Sequence, residues 1–142
     1  MLAYGSNACP EKIEWFRHEL GLAGPVVAFE ADVSDAAAAW AAGIRFRDDQ
    51  RPAVLTGFPG VHERHVVWLA TPEQRSVLDE VEGRNQRYRL AWVHTPATLG
   101  NGQTFEWVLA YIARPEIIGK GVEIKLNRLP LLVETMCSAS PT

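Results

Sequence analysis

The segment from Thr71 to Gly83 constrains the fold most strongly, because it carries a complete set of helix signals. Thr71 is a favoured N-cap residue, Pro72 suits the first helical position, and Gln74 is placed to complete a capping box. Three apolar residues then recur at helical spacing: Val77, Leu78 and Val81. Gly83 is placed to end the helix. The segment therefore predicts an amphipathic helix that must pack against something else.

Segments with the apolar or alternating pattern of strands flank this helix and outnumber the helical ones. They are residues 1–4, 26–29, 44–47, 53–58, 64–70, 88–95 and 104–113. Pro59 and Gly60 are expected to end the strand over 53–58. Only a short turn separates the last two strands, which predicts an antiparallel hairpin.

A second helix is predicted over Pro10–Leu20, with Gly21 placed to end it. The segment 34–43 is left undecided, because its four consecutive alanines favour a helix on propensity whereas its neighbours alternate like strands. Strands do not alternate regularly with helices along the chain. This order predicts an α+β fold with a mixed, mostly antiparallel sheet rather than a doubly wound parallel one.

Length and charge limit the classes of protein to which the chain can belong. Its 142 residues suit one domain over 1–142, in which the tail after about residue 114 carries no motif. A net charge of −3 argues against nucleic acid or anionic lipid as a partner. No apolar run approaches the ~18 residues of a membrane span, and no secretory signal is evident. Only Cys9 and Cys137 are present, from which we expect a reducing, cytoplasmic setting.

The apolar opening segment breaks sharply at Gly5-Ser6-Asn7, with Pro10 just beyond. Gly5 permits unusual backbone angles or a close approach, and Ser6 and Asn7 are suited to cap a helix. A strand, loop and helix start of this kind exposes backbone N–H groups that can bind an anion. An ordinary turn with a helix cap is the simpler interpretation of this loop taken alone.

Glu82 lies in the last turn of the predicted helix, where a carboxylate is disfavoured by the partial negative charge of the helix end. It also lies next to the apolar face formed by Leu78 and Val81. Both effects disfavour the ionised carboxylate, as a general acid/base acting near neutral pH requires. The alternative is a residue at the rim of the helix whose side chain extends to water.

Three stretches together resemble the γ-glutamylcyclotransferase-like family over about residues 2–113. Tyr4-Gly5-Ser6-Asn7 is similar to the YGSN motif of that family. Residues 78–83 followed by Tyr88-Arg89 resemble its LD-x-x-EG … Y-R segment. Between them, residues 51–55 and Pro59-Gly60 are similar to a PATL … PG stretch of bacterial members.

The resemblance implies a small mixed, mostly antiparallel β-barrel with a few helices and one cavity. It implies an enzyme that cyclises a γ-glutamyl amino acid or amine to 5-oxoproline and releases the amine, with no cofactor and no metal. Glu82 would be the catalytic acid/base. Residues lining the cavity and holding the substrate would be Tyr4, Gly5, Ser6, Asn7, Tyr88 and Tyr111. The leaving amine and the oligomeric state, a homodimer included, stay open.

Several alternatives remain open from the residues alone. A binding module with the same fold that does no cyclisation is the main one, and removal of a γ-glutamyl cap from a specialised amine is another. Cys9 as a nucleophile lacks a histidine close in sequence. His62-Glu63-Arg64-His65 is not a metal motif, and we interpret it as a solvated turn followed by a strand. Asp79 is expected on the solvent side of its helix, from where it could orient a neighbour.

Overall fold

The computed structural model describes residues 1–40 and 52–114, and in those ranges both predicted helices and most predicted strands are present. The predicted strand over 44–47 lies outside the described residues, as does the tail from 115 onward. The elements in chain order are β1 (Leu2–Ala3), α1 (Pro10–Leu20), β2 (Val27–Trp40), β3 (Ala53–Leu69), α2 (Pro72–Glu82), β4 (Tyr88–Leu99) and β5 (Thr104–Ala113). No helix in the described ranges is long and apolar enough to cross a membrane.

The described strands form one sheet in the order β1-β3-β2-β4-β5, and every neighbouring pair is antiparallel. The predicted α+β class and the β4–β5 hairpin are therefore confirmed. The sheet curls, as a hydrogen bond between its two edges shows. The hydroxyl of Tyr4, which follows edge strand β1, donates to the backbone oxygen of Tyr111 in edge strand β5. The predicted barrel thus appears in the described residues as a curled sheet that is not closed by strand pairing.

The undecided alanine run is extended, not helical. Residues 36–39 belong to β2 and pair with residues 54–57 of β3. All four alanines are buried, at 2–9% exposure. The free energy of backbone pairing and burial in a sheet outweighs the helix propensity of alanine, which amounts to at most about 1 kcal/mol per residue.

Pro59 and Gly60 do not end a strand, and that prediction was wrong. The two strands predicted over 53–58 and 64–70 are one continuous strand, β3, interrupted by a bulge. Residues 58–61 of β3 lie opposite the single residue Asp35 of β2. Asp35 and Gly60 both have positive φ, at 63° and 83°, and Asp35 Oδ1 accepts a hydrogen bond from Gly60 N at 2.9 Å. The bulge therefore absorbs the turn residues without breaking the strand pair.

Both helices begin and end at the predicted residues. The capping box of Thr71 and Gln74 is present in both directions, and Gly21 and Gly83 adopt the left-handed conformation that ends a helix. α1 and α2 insert Phe16 (0% exposed) and Leu78 (1% exposed) into a core cluster that includes Trp68 of β3. A second core cluster, built largely of alanine and valine, contains Ala31, Val33 and Ala97.

The bulge gives a prediction for Asp35, whose left-handed backbone and side-chain hydrogen bond are both unusual. We expect Asp35→Ala to lower the free energy of unfolding by about 1–3 kcal/mol, because alanine tolerates positive φ poorly and cannot accept from Gly60 N. Asp35→Asn should stay close to the parent protein, and Asp35→Gly should fall between the two. Urea unfolding at neutral pH measures all three. Equal stability of the alanine and asparagine variants would contradict the role given to this residue.

Candidate active site

One hydrogen bond joins the opening loop to the end of α2. Asn7 Nδ2 donates to Glu82 Oε1 at 2.7 Å, across 75 residues of sequence. The opening loop and Glu82, neither of which indicates a function by itself, are therefore neighbours in space. Glu82 is half-buried, so its carboxylate is partly shielded from water.

The opening loop is a single 3₁₀ turn over Ser6–Ala8, which precedes α1. The amides of Ala8 and Cys9 close this turn on the backbone oxygens of Gly5 and Ser6, each at 3.0 Å. Gly5 has a φ of −133°, an extended conformation that many residues adopt, so left-handed freedom is not what this glycine provides.

The prediction that Ser6 and Asn7 cap the helix was wrong. Cys9 is the N-cap residue of α1, and no side chain makes a capping bond there. The Ser6 hydroxyl instead accepts a hydrogen bond from Lys12 Nζ at 2.6 Å, while Asn7 bonds to Glu82. The two polar side chains of the loop therefore point to different partners.

Glu82 occupies the last position of α2, as predicted. Gly83 follows with a φ of 59°, which turns the chain away and ends the helix at the carboxylate. The guanidinium of Arg87 donates to the backbone oxygens of Val81 at 2.7 Å and of Glu82 at 3.4 Å. Arg87 thus offsets the negative end of the helix at the backbone and leaves the carboxylate of Glu82 to its contact with Asn7.

A second carboxylate lies one helical turn before Glu82. Asp79 Oδ1 accepts from the Tyr111 hydroxyl at 2.7 Å, and Asp79 Oδ2 accepts from Arg84 Nη1 at 2.9 Å. The expectation that Asp79 faces solvent was wrong, because it is half-buried, and the neighbour that it contacts is Tyr111, whose hydroxyl donates to it. The spacing of Asp79 and Glu82 at i and i+3 was the sequence signal for this pair.

Tyr4 and Tyr111 remain neutral hydrogen-bond donors at this site. Burial raises the pKa of Tyr4 well above its ordinary value, and the nearby Tyr88 and Glu82 raise it further, against a lowering effect of the Leu55 backbone. Burial also raises the pKa of Tyr111, as do its hydrogen bond to Asp79 and the negative charges of Asp79 and Glu82; Arg84 acts in the opposite direction. Both phenols therefore keep their protons throughout the physiological pH range.

Tyr88 and Cys9, also named from the sequence, are both buried. Tyr88 is 8% exposed and donates from its hydroxyl to Ala53 O at 3.2 Å, so it supports the core beside Tyr4. Cys9 is 3% exposed and disulfide-bonded, so it presents no free thiol that could act as a nucleophile.

The histidine segment lies wholly within a strand: the strand predicted for Arg64 and His65 is present, whereas the turn predicted at His62-Glu63 is not. All of 62–65 belongs to β3, and His65 is 4% exposed. His65 Nε2 lies 2.8 Å from Glu63 Oε2, and His62 Nδ1 lies 3.1 Å from Ser34 Oγ. Within 1–40 and 52–114, no group of three or more histidine, cysteine or acidic residues is placed to hold a metal ion.

Comparison with solved structures gives the fold. A protein described as gamma-glutamyl cyclotransferase superposes with a TM-score of 0.62 and 21% identity, over 80% of this chain and 64% of that one. The chain has a γ-glutamyl cyclotransferase-like fold. An uncharacterized human protein matches with a TM-score of 0.63 and 22% identity, covering 99% of this chain and 87% of its own. A protein from Arabidopsis thaliana matches at 0.55 and 19%, covering 99% and 93%.

These similarities confirm, at the level of the fold, the resemblance first seen in the sequence motifs. No family model matches the sequence, and the search of curated proteins returns no match either. The chain spans less than two thirds of the γ-glutamyl cyclotransferase that it matches.

The raised pKa of Tyr111 gives a prediction for stability at alkaline pH. A phenol whose pKa is higher in the folded than in the unfolded chain contributes stability that is complete below about pH 10 and is lost as the pH rises through the folded value. We expect the free energy of unfolding to fall above about pH 10, by up to ~1.4 kcal/mol per pH unit for each such tyrosine. Tyr111→Phe should be less stable at neutral pH and should fall less steeply above pH 10.

Denaturant unfolding at intervals between pH 7 and 11 measures this slope for the parent protein and Tyr111→Phe. Identical alkaline slopes in the two proteins would show that the phenol of Tyr111 does not hold its proton more tightly in the folded state.

Proposed function

We propose that this protein is a γ-glutamyl cyclotransferase that converts a γ-glutamyl amino acid or amine into 5-oxoproline and the free amine, with Glu82 as the acid/base. The hydrogen bond between Asn7 and Glu82 carries the proposal, because it unites the two motifs on which the resemblance depends. The γ-glutamyl cyclotransferase-like fold supports it independently. A small-molecule γ-glutamyl substrate and a cytoplasmic location belong to the same proposal.

The reaction needs positioning and proton transfer rather than a protein nucleophile. The substrate's α-amine attacks its own γ-carbonyl carbon, a C–N bond forms to close a five-membered lactam, and the C–N bond to the leaving amine breaks. The attacking nitrogen loses one proton and the leaving nitrogen gains one. A single carboxylate that takes the first proton and delivers the second balances the reaction, and such a step contributes about 10²–10⁴ in rate.

The contacts of the two carboxylates favour Glu82 over Asp79 for this role. Asp79 is paired with Arg84 at Oδ2 and accepts a hydrogen bond from the Tyr111 hydroxyl at Oδ1, so both of its oxygens are engaged. Glu82 has no ion pair in the described part of the chain, and Asn7 holds only its Oε1. Its other oxygen, Oε2, is therefore the atom that we assign to proton transfer.

The loop supplies the orientation that the cyclisation requires. The amides of Ala8 and Cys9 are used to close the 3₁₀ turn, so we assign substrate binding to the amides of Ser6 and Asn7, which precede them. Backbone N–H groups at such a turn suit either the substrate's free carboxylate or the oxyanion that forms at the γ-carbonyl. Tyr4 and Tyr111 line the same region as neutral groups, which adds no competing charge.

We expect Glu82→Gln to abolish 5-oxoproline release while leaving the fold intact, because glutamine keeps a hydrogen-bonding side chain but cannot carry the proton. Glu80→Gln is the matched control, since Glu80 lies two residues earlier on the exposed side of the same helix. The assay follows 5-oxoproline from a panel of γ-glutamyl amino acids and amines. Full activity of Glu82→Gln would remove this residue from the mechanism. Substrate binding without product release by the parent protein would instead identify a binding module.

Changes in the loop should separate positioning of Glu82 from binding of substrate. Asn7→Ala removes the hydrogen bond to Glu82, and we expect kcat/KM to fall about 10–100-fold with a large share of the loss in kcat. Ser6→Ala leaves that bond in place but removes the Ser6 hydroxyl contact to Lys12, which holds the substrate-binding turn against α1, and we expect a rise in KM with a smaller effect on kcat. Unchanged kcat and KM in both variants would reduce the loop to a turn that precedes a helix.

A further inference from the structure

A small cavity lies behind the Asn7–Glu82 contact, between the opening segment, β3, α2 and β5. Its volume is about 10 Å³, which matches the ~10–15 Å³ that a single water molecule occupies. Its lining includes apolar side chains, Leu2, Ala3 and Leu78, together with Asn7, Trp68 and Tyr111. The hydroxyl proton of Tyr111 is already donated to Asp79.

Two buried polar atoms on the lining residues of this cavity are left without a partner. Asn7 Oδ1 and Trp68 Nε1 are both inaccessible, and neither makes a hydrogen bond within the part of the chain that the structure describes. One is an acceptor and the other is a donor. Leaving such a group unpaired costs about 1–3 kcal/mol, so a molecule that satisfies both is strongly favoured.

We propose that one water molecule occupies this cavity, accepts a hydrogen bond from Trp68 Nε1, and donates one to Asn7 Oδ1. This water makes Trp68 a positioning residue for Glu82, because it fixes which end of the Asn7 amide faces the carboxylate. The water site itself does not depend on the proposed function, whereas the catalytic consequence does.

The orientation follows from counting donors. With Asn7 Oδ1 toward the cavity, the water accepts from Trp68 and donates to Asn7, and Nδ2 is directed at Glu82. If the amide turned over, its NH₂ and the Trp68 indole would both donate to the water. The water would then accept two hydrogen bonds and would have no acceptor on Asn7 for its own protons. The indole donor therefore biases the amide toward the orientation that stabilises an ionised Glu82.

A high-resolution crystal structure of the full chain tests the water site without reference to activity. We expect an ordered water within hydrogen-bond distance of both Trp68 Nε1 and Asn7 Oδ1. A dry cavity, or an Asn7 amide that directs Oδ1 at Glu82, would overturn the proposal.

The catalytic consequence is tested by Trp68→Phe, which removes the donor and keeps an aromatic ring. Trp107→Phe is the matched control, because Trp107 is 55% exposed on β5. The charged and titratable groups packed around Glu82 are unchanged in both variants: Tyr4, Tyr111, Asp79, Arg84 and Arg87. We expect the acid limb of the kcat/KM profile to move to higher pH by about half to one unit in Trp68→Phe only.

Acid unfolding of a destabilised variant also moves an acid limb to higher pH, so circular dichroism defines the pH range over which both variants stay folded, and the limbs are compared only within that range. An acid limb at the same pH in Trp68→Phe and Trp107→Phe would contradict the positioning role. If the crystallographic water is present but Glu82→Gln stays active, the proposed function fails and the water site stands.

Discussion

The curl of the sheet is the constraint on which the candidate site depends. β1 and β5 lie at opposite edges of the sheet order, yet the Tyr4 hydroxyl reaches the backbone of Tyr111. This contact brings the loop after β1 to the same place as the end of α2, where Asn7 meets Glu82. A flat sheet of the same order would hold these two motifs several strand widths apart, at about 4.8 Å per strand.

The site contains two carboxylates on α2, those of Asp79 and Glu82, which are bound by different groups. Asp79 is bound by a phenol and a guanidinium, whereas Glu82 is bound by an amide at one oxygen only. The first arrangement holds a charge in place and keeps Tyr111 oriented. The second restrains a carboxylate at one oxygen and leaves the other for the proton transfer that we propose. Both arrangements follow from ending α2 directly after Glu82, with Arg87 bonded to the helix backbone instead of to the side chain.

Local signals were sufficient to predict the two helices, because a proline in the first turn and a glycine after the last act within a few positions. The same approach failed over 36–39 and at Pro59-Gly60, where pairing between β2 and β3 overrides propensity and turn chemistry. Glu82 was identifiable because it stands at the unfavourable end of a helix. The partner of Asn7 was not, since nothing local to either residue encodes a contact across 75 positions. The cavity beside Trp68 was also beyond prediction, because it depends on how four elements pack together.

The bulge at Asp35 and Gly60 divides the β2–β3 ribbon into two stretches with separate registers. On one side, residues 62–69 of β3 pair with 27–34 and also carry β1 through Val66 and Val67. On the other side, residues 54–57 pair with the alanine run. A one-residue insertion or deletion in the distal stretch would be absorbed where the pairing already slips, so the strand that supports the opening loop would keep its alignment. The shift of register at Asp35 therefore separates the pairing of residues 53–57 from that of residues 62–69, which support the opening loop.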